Sequence, residues 1–379
     1  MSGGDPARTG INPGPGPEGE PEEHWQFEVV GGVDSAPVAA EDVLFVSAYE
    51  EQPRRDLGNV FALDAATGEQ RWCMTSGTAS RPNPIIVNDL VLVGAGDLPW
   101  SPPAYGLARG TRFVVALERS TGLERWRFYH GGFGTDVVAT NESVYVSTSE
   151  GGLWALDPAT GEVRWLFQVD ADAGFDEVSL GRVAVADGVI YVTGGGLLHA
   201  VDAETGEMHW QVGIGDEEYL GLSAVADDTV YVTSSNGVYA VDTGSGAELW
   251  RFAAENTRSL GVADGVVYVG TASASEADSE AFLYAIDAGT GQEQWSFETE
   301  GFVAMPAIVG DVIYIATTVE ASTGTNDGIV LALATEDGQE MWRFPVNGQV
   351  TGPTVIGGTV FVGTEINEAG ALIAIRGTD

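Results

Sequence analysis

The chain contains no lysine. All 16 of its basic residues are arginine, set against 56 aspartates and glutamates in 379 residues, for a formal net charge of −40. Without lysine there is no Walker-A phosphate loop, no Schiff-base lysine and no lysine-anchored pyridoxal site. The charge excludes an electrostatic nucleic-acid binder, which needs a basic face. Cysteine occurs once, as Cys73, so an internal disulfide and a cysteine-based zinc cluster are excluded. No apolar run approaches the roughly 18 residues of a membrane helix, and no signal-peptide core is visible. A helical 3.6-residue period of useful length is also missing.

What is present is a chain able to build a core. Hydrophobic residues make up 44% of it, and 52 glycines and 16 prolines punctuate it. High charge at this hydrophobicity does not mean disorder. An internal repeat dominates the sequence. Ala62-Leu63-Asp64-Ala65-Ala66-Thr67-Gly68 precedes Trp72, and Asp157, Asp202 and Asp287 open the same pattern before Trp165, Trp210 and Trp295. Asp242-to-Trp250 is a serine variant, and the copies ending at Trp126 and Trp342 are degenerate. The step from the Asp position to the tryptophan is eight residues in every copy. With Trp25, the motif tryptophans are spaced 39 to 54 residues apart.

Each unit has the pattern of four strands. In one unit these are Val183–Val185, an Asp187-Gly188 turn, Val189–Val192, Leu198–Val201, and a fourth strand holding the tryptophan. Alternation, β-branched residues and turn residues carry this assignment. Four-stranded units at this period predict an all-β fold, a β-propeller. Eight sets of the first three strands occur, but the last ends without a tryptophan, and an orphan tryptophan strand opens the chain. The expectation is therefore eight blades of four antiparallel strands, closed by pairing the N-terminal Trp25 strand with the C-terminal blade. Residues 23–379 form that single domain, and residues 1–22 read as a flexible Pro/Gly/Glu-rich tail. Trp25, Trp72, Trp126, Trp165, Trp210, Trp250, Trp295 and Trp342 are expected to dock blade on blade, since a lone sheet cannot bury both faces.

The A-x-D-x-x-T-G-x-x-x-W unit resembles the PQQ-like (quinoprotein alcohol dehydrogenase-like) β-propeller repeat family. The resemblance covers residues 24–379. That family holds pyrroloquinoline-quinone-dependent alcohol dehydrogenases and the non-enzymatic outer-membrane assembly factor BamB. Asp5-Pro-Ala-Arg-Thr-Gly10 and Asn12-Pro13-Gly14 resemble the stretch before the first blade in haloarchaeal members. The acidity points the same way. Carboxylates crowd and repel, which is tolerable in strong salt, where the Debye length is about 3 Å at 1 M. A halophilic, archaeal source is expected. The dehydrogenases of the family use a vicinal Cys-Cys ring, Ca²⁺ and a catalytic Asp. Cys73 alone cannot form that ring, so PQQ is not expected, nor any other cofactor.

Other chemistry is sparse. His199 occupies the slot of Phe61, Trp154, Tyr239 and Tyr284, which implies a core residue; His24 and His209 directly precede motif tryptophans; His130 reads as a loop residue. No catalytic residue is assigned. Asp170, Asp172 and Asp176 form a carboxylate cluster that could take Ca²⁺. Long second-to-third-strand connections distinguish blades one, two, six and seven, and function concentrates on such segments. Two stand out: Tyr49–Asp56, with Arg54 and Arg55, and Leu98–Tyr105, with Trp100 and Tyr105. These four residues form the expected interaction face. The function expected is a non-catalytic scaffold binding a protein or envelope component. The alternative is a quinone- or sugar-binding protein or oxidoreductase using the central funnel. The chain is expected to be monomeric. It is expected at the cell surface if an export leader is missing from this sequence, and in the cytoplasm otherwise.

Overall fold

The computed structural model describes residues 5–12, 14–33, 35–52, 55–78, 83–96, 112–130, 135–169, 180–215, 220–272, 280–319, 327–366 and 369–378. The regular elements among them are strands. They form a ring of eight antiparallel blades, as the repeat predicts. Blade 4 shows the plan: Leu180–Ala186, Val189–Gly194, Leu197–Asp202 and Met208–Gly213 pair in sequence order from the central channel outward. Blades 1, 2 and 3 occupy residues 32–78, 85–130 and 135–168; blades 5, 6 and 7 occupy 220–253, 257–300 and 302–347. Blade 8 is composite. Its inner strands come from 349–377, and Pro21–Val30 supplies the outer one, with Trp25 opposite Ala374.

The burial pattern explains why alternation weakens inside a blade. The second strand Thr229–Ser234 is buried at every position, because neighbouring blades cover both faces. The outer strand Met208–Gly213 keeps only Trp210 and Val212 turned inward, half-buried. The core is consequently a ring of eight apolar clusters, one at each blade junction.

The repeat motif builds the junctions. Asp64 Oδ1 accepts the Ala66 and Thr67 amides at 3.0 Å and the Thr67 hydroxyl at 3.2 Å, closing the turn. The next residue, Gly68, has φ +73°, and a Cβ there would lie 2.7 Å from the Trp25 ring. Trp25 thus lies flat on the glycine of the following blade. Trp72 sits the same way on Gly122, Trp126 on Gly161, Trp165 on Gly206, Trp210 on Gly246, Trp250 on Gly291 and Trp295 on Gly338. The indole N–H of Trp250 donates to Ala288 O at 2.8 Å and that of Trp210 to Thr243 O at 2.9 Å. Within its own blade, Trp250 packs on Tyr231 and Trp342 on Tyr314, with ring centroids 5.9 and 5.8 Å apart.

Three features differ from the sequence reading. The first is the tail. Residues 5–12 are packed against the inner strands of successive blades, with Arg8 and Asn12 buried; backbone hydrogen bonding, invisible in a Pro/Gly composition, holds them. The second is the Tyr49–Asp56 connection. Here the strands Val43–Gln52 and Arg55–Asp64 simply continue, with Glu51 opposite Asp56 and Gln52 opposite Arg55. Polar residues can extend a ladder beyond the core because the pairing is carried by backbone. The third is His130, which ends the strand Glu124–His130, buried and stacked on Phe128.

Candidate binding site at the channel mouth

All eight inner strands run in the same direction along the central channel. The 1–2 and 3–4 turns therefore gather at one end, and the 2–3 and 4–1 connections at the other. At the second end the channel widens into a cavity of about 270 Å³. Its wall includes Asn83, Arg182, Arg258, Phe302, Met305, Gln349, Val350 and Glu365.

Backbone irregularity positions the two arginines. In Leu180–Ala186 the pairing slips between Leu180 and Val183, and in Thr257–Ala263 between Thr257 and Ser259. Each slip leaves an arginine out of register at the strand start. A bulge re-aims a side chain in this way. Arg182 and Arg258 are both exposed, so a chain of net charge −40 presents guanidinium groups to its own channel. Glu365 is the penultimate residue of the second strand of blade 8, and its carboxylate accepts the Tyr49 hydroxyl from blade 1. Among the described residues, three exposed apolar side chains stand at this end: Val30 at 68%, Phe302 at 37% and Ile366 at 39% of full exposure. Val30 and Ile366 flank Ala369 on adjacent strands. Phe302 opens the inner strand of blade 7, pairing with Thr318.

The opposite end has different chemistry. There the residue before each tryptophan is bulged out of its strand; Arg71 is skipped between Gln70 and Trp72, and Arg164 between Val163 and Trp165. The bulge turns that side chain onto the acid of its own repeat. Arg71 meets Asp64 at 2.7 Å, Arg164 meets Asp157 at 2.7 Å and His209 meets Asp202 at 3.4 Å. The Arg71 guanidinium holds the Asp64 carboxyl below the ordinary aspartate value, and Arg164 does so for Asp157. Turn amides and hydroxyls lower Asp202, Asp242 and Asp287, led by the Thr205 amide, the Ser245 hydroxyl and the Thr290 hydroxyl respectively. These carboxylates are structural.

Of the expected interaction face, Arg55 lies in the extended strand of blade 1, while Arg54, Trp100 and Tyr105 lie outside the described residues. So do Asp170, Asp172 and Asp176 of the proposed calcium cluster. The strand ends that flank Trp100 and Tyr105, Gly96 and Arg112, pair with each other at the cavity end. His199 is buried and packs against Phe167, with its Nε2 3.1 Å from Gly194 O; burial lowers its pKa below the usual imidazole value. Arg182, Arg258, Phe302 and Ile366 were not singled out from sequence. The available signal was an arginine near the start of an inner strand, Arg182 in blade 4 and Arg258 in blade 6, whereas Arg71, Arg125 and Arg164 precede motif tryptophans and Arg127, Arg251 and Arg343 follow them.

The described residues do not fit a calcium-bound quinone. Among the described residues the cavity wall has one carboxylate, Glu365, already engaged by Tyr49. Cys73 lies on the outer strand of blade 1, opposite Phe61, and brings no sulfur to the channel. Among the described residues no helix is long and apolar enough to cross a membrane, and no group of three metal-ligating side chains occurs.

Known structures share this architecture. BamB from Moraxella catarrhalis superposes with TM-score 0.68 over 94% of this chain and 97% of that one, at 17% identity. Quinohemoprotein alcohol dehydrogenase from Comamonas testosteroni gives TM-score 0.73 over 100% of this chain and 80% of that one, at 14% identity. Such identities establish the fold alone. Among curated relatives, the serine/threonine-protein kinase AfsK of Streptomyces griseus is 30% identical over 139 residues, 34% of this chain and 16% of that protein. The methanol dehydrogenase [cytochrome c] subunit 1 of Paracoccus denitrificans is 28% identical over 132 residues, 30% of this chain and 20% of that protein. The match spans a quarter or less of the length of these relatives. A family model, by contrast, matches residues 20–99, 56–179, 166–238, 196–326 and 279–379, and so almost all of the chain. The chain belongs to the PQQ-like β-propeller family described as outer membrane protein assembly factor BamB.

Proposed function

We propose that this chain is a non-catalytic binding platform that holds a protein or envelope component at the cavity end of its channel. The observation that carries the reading is the exposed Phe302 in the wall of a cavity bearing Arg182 and Arg258, with the exposed Ile366 directly after its Glu365. In an acidic chain this is an unusual pairing of apolar surface with positive charge. It suits a partner that offers apolar side chains and a carboxylate. In concentrated salt, the setting the lysine-free composition implies, charge is screened and apolar contact supplies most of the attraction. The family's description as an outer-membrane assembly factor supports a place in the cell envelope.

The test is capture from an envelope fraction in high salt, comparing the native chain with a Phe302→Ala/Ile366→Ala variant. A partner held by the native chain and released by the folded variant supports the platform. Equal capture by both removes the apolar set from the proposal. The cavity itself favours a second reading, a small-molecule binder. Titration calorimetry with pyrroloquinoline quinone and Ca²⁺, and separately with neutral sugars, separates the two: saturable heat that Arg182→Ala/Arg258→Ala abolishes supports the small-molecule reading.

A further inference from the structure

We propose that the turn end of the central channel is a peptide-binding site for an arginine-bearing segment that opens with a turn, filled in this molecule by its own residues 5–12. The inner strands of five consecutive blades each turn a backbone N–H toward this segment. Val185 donates to Pro6 O at 2.6 Å, Val225 to Ala7 O at 2.9 Å, Val262 to Thr9 O at 2.7 Å and Ile308 to Gly10 O at 3.0 Å. In blade 8, Val355 N–H donates to the Asn12 side-chain oxygen at 3.0 Å. These five residues occupy one equivalent slot, two or three positions before the 1–2 turn, so the ring presents a regular track of donors. The Asn12 amide returns a bond to Ile308 O at 2.8 Å, and Ile11 and Ile308 form a parallel bridge. The segment crosses the inner edges of five sheets and takes one backbone donor from each, using the same unpaired edge groups that strand addition uses in peptide recognition.

Side chains give the track a sequence preference. Arg8 is 6% exposed. Its Nη2 meets the Asp136 carboxylate of blade 3 at 2.5 Å, and its Nε donates to Val183 O at 2.5 Å. Asp136 also accepts the Val183 amide at 2.8 Å, which fixes the carboxylate toward the guanidinium. Asp5 caps the segment by accepting the Thr9 amide at 3.1 Å. Gly10 has φ +81°, and a Cβ there would lie 2.9 Å from Pro306 O, so a larger residue is excluded. Asp5, Arg8, Gly10 and Asn12 thus each meet a separate requirement of the site.

The strap changes the mechanics of the ring. Blades otherwise contact only their neighbours. Residues 5–12 tie blade 3 through blade 8 together across the channel, opposite the end proposed for partner binding. Because the segment is part of the chain, its effective concentration at the site is high, and an added peptide binds only when the cis segment is weakened.

The experiment uses the full chain in high salt. A fluorescent peptide of residues 3–16 is titrated into the native chain, Arg8→Ala, and Arg8→Ala/Asp136→Asn. The expected result is saturable binding to the folded Arg8→Ala chain, binding to the native chain at least tenfold weaker, and loss of binding in the double variant. Equal binding to all three, or none to a folded Arg8→Ala chain, overturns the proposal. Amide hydrogen exchange on the same proteins covers the case in which Arg8→Ala does not fold. Val185, Val225, Val262, Ile308 and Val355 should be protected in the native chain. Where Arg8→Ala folds, those five amides should exchange at least tenfold faster and outer-strand amides should not change. Native amides at these positions exchanging at unprotected rates would equally sink the proposal.

Discussion

The two ends of the propeller are built from the same strands yet follow opposite rules. At the turn end, one device is repeated around the ring: an acid-capped turn, a left-handed glycine, and a tryptophan laid on it from the preceding blade. At the cavity end the blades diverge. Blade 1 extends its hairpin to Gln52 and Arg55, blade 8 exposes Ile366, and blades 4 and 6 bulge to aim arginines inward. The difference teaches where constraint lies. A junction used at seven of the eight blade contacts tolerates little variation, whereas the rim of a rigid ring can change residue by residue without disturbing the packing below.

Substitutions at the two ends should separate accordingly. The largest effect is expected at the turn end: Trp250→Ala should lower unfolding free energy by ~3 kcal/mol, the low end for a buried aromatic because Trp250 is half-buried, measured by denaturant titration in high salt. Gly291→Ala should cost ~1–3 kcal/mol through its left-handed backbone, and a Cβ there would meet the Trp250 ring at 2.7 Å. A cost for Gly291→Ala below that of a surface substitution would show that the ring–glycine contact is not what holds the junction.

Acid should act on the same end. The turn aspartates have native pKa values below the ordinary 3.8. The native state therefore binds fewer protons than the unfolded state near that pH. Their contribution is fully present above it and is lost as pH falls through the native values. Tm should be flat from pH 7 to about 5 and then fall, less steeply in Asp287→Asn than in the native chain, by calorimetry at constant salt. The smallest stability change is expected at the cavity end. Phe302→Ala/Ile366→Ala should stay within ~0.5 kcal/mol per site while abolishing partner capture. If that variant proves as destabilising as Trp250→Ala, the division of labour between the ends is wrong.

Much of this fold is legible in the sequence because its signal is periodic. Seven tryptophans at a fixed step from a turn glycine, six of them also from an acid, specify the repeated blade unit, and the orphan Trp25 specifies ring closure. The bulge before each tryptophan was not legible. It is contained in the constant eight-residue step, so nothing in the spacing reveals that Arg71 or His209 lies outside the ladder and faces its own acid. The channel mouth was barely legible for a related reason. Arg182 and Phe302 lie far apart in sequence, near Gly181 and Gly301, in segments that look like ordinary strand starts.

The sequence by itself determined the all-β class, the number of blades and the circular closure, since each follows from a local pattern repeated along the chain. Only the tertiary structure decided what meets at the channel. Whether Arg8 reaches Asp136, or Phe302 stands near Arg182 and Arg258, depends on how eight blades are rotated about a common axis. That rotation is set by side-chain packing summed over every junction, and no single repeat encodes it.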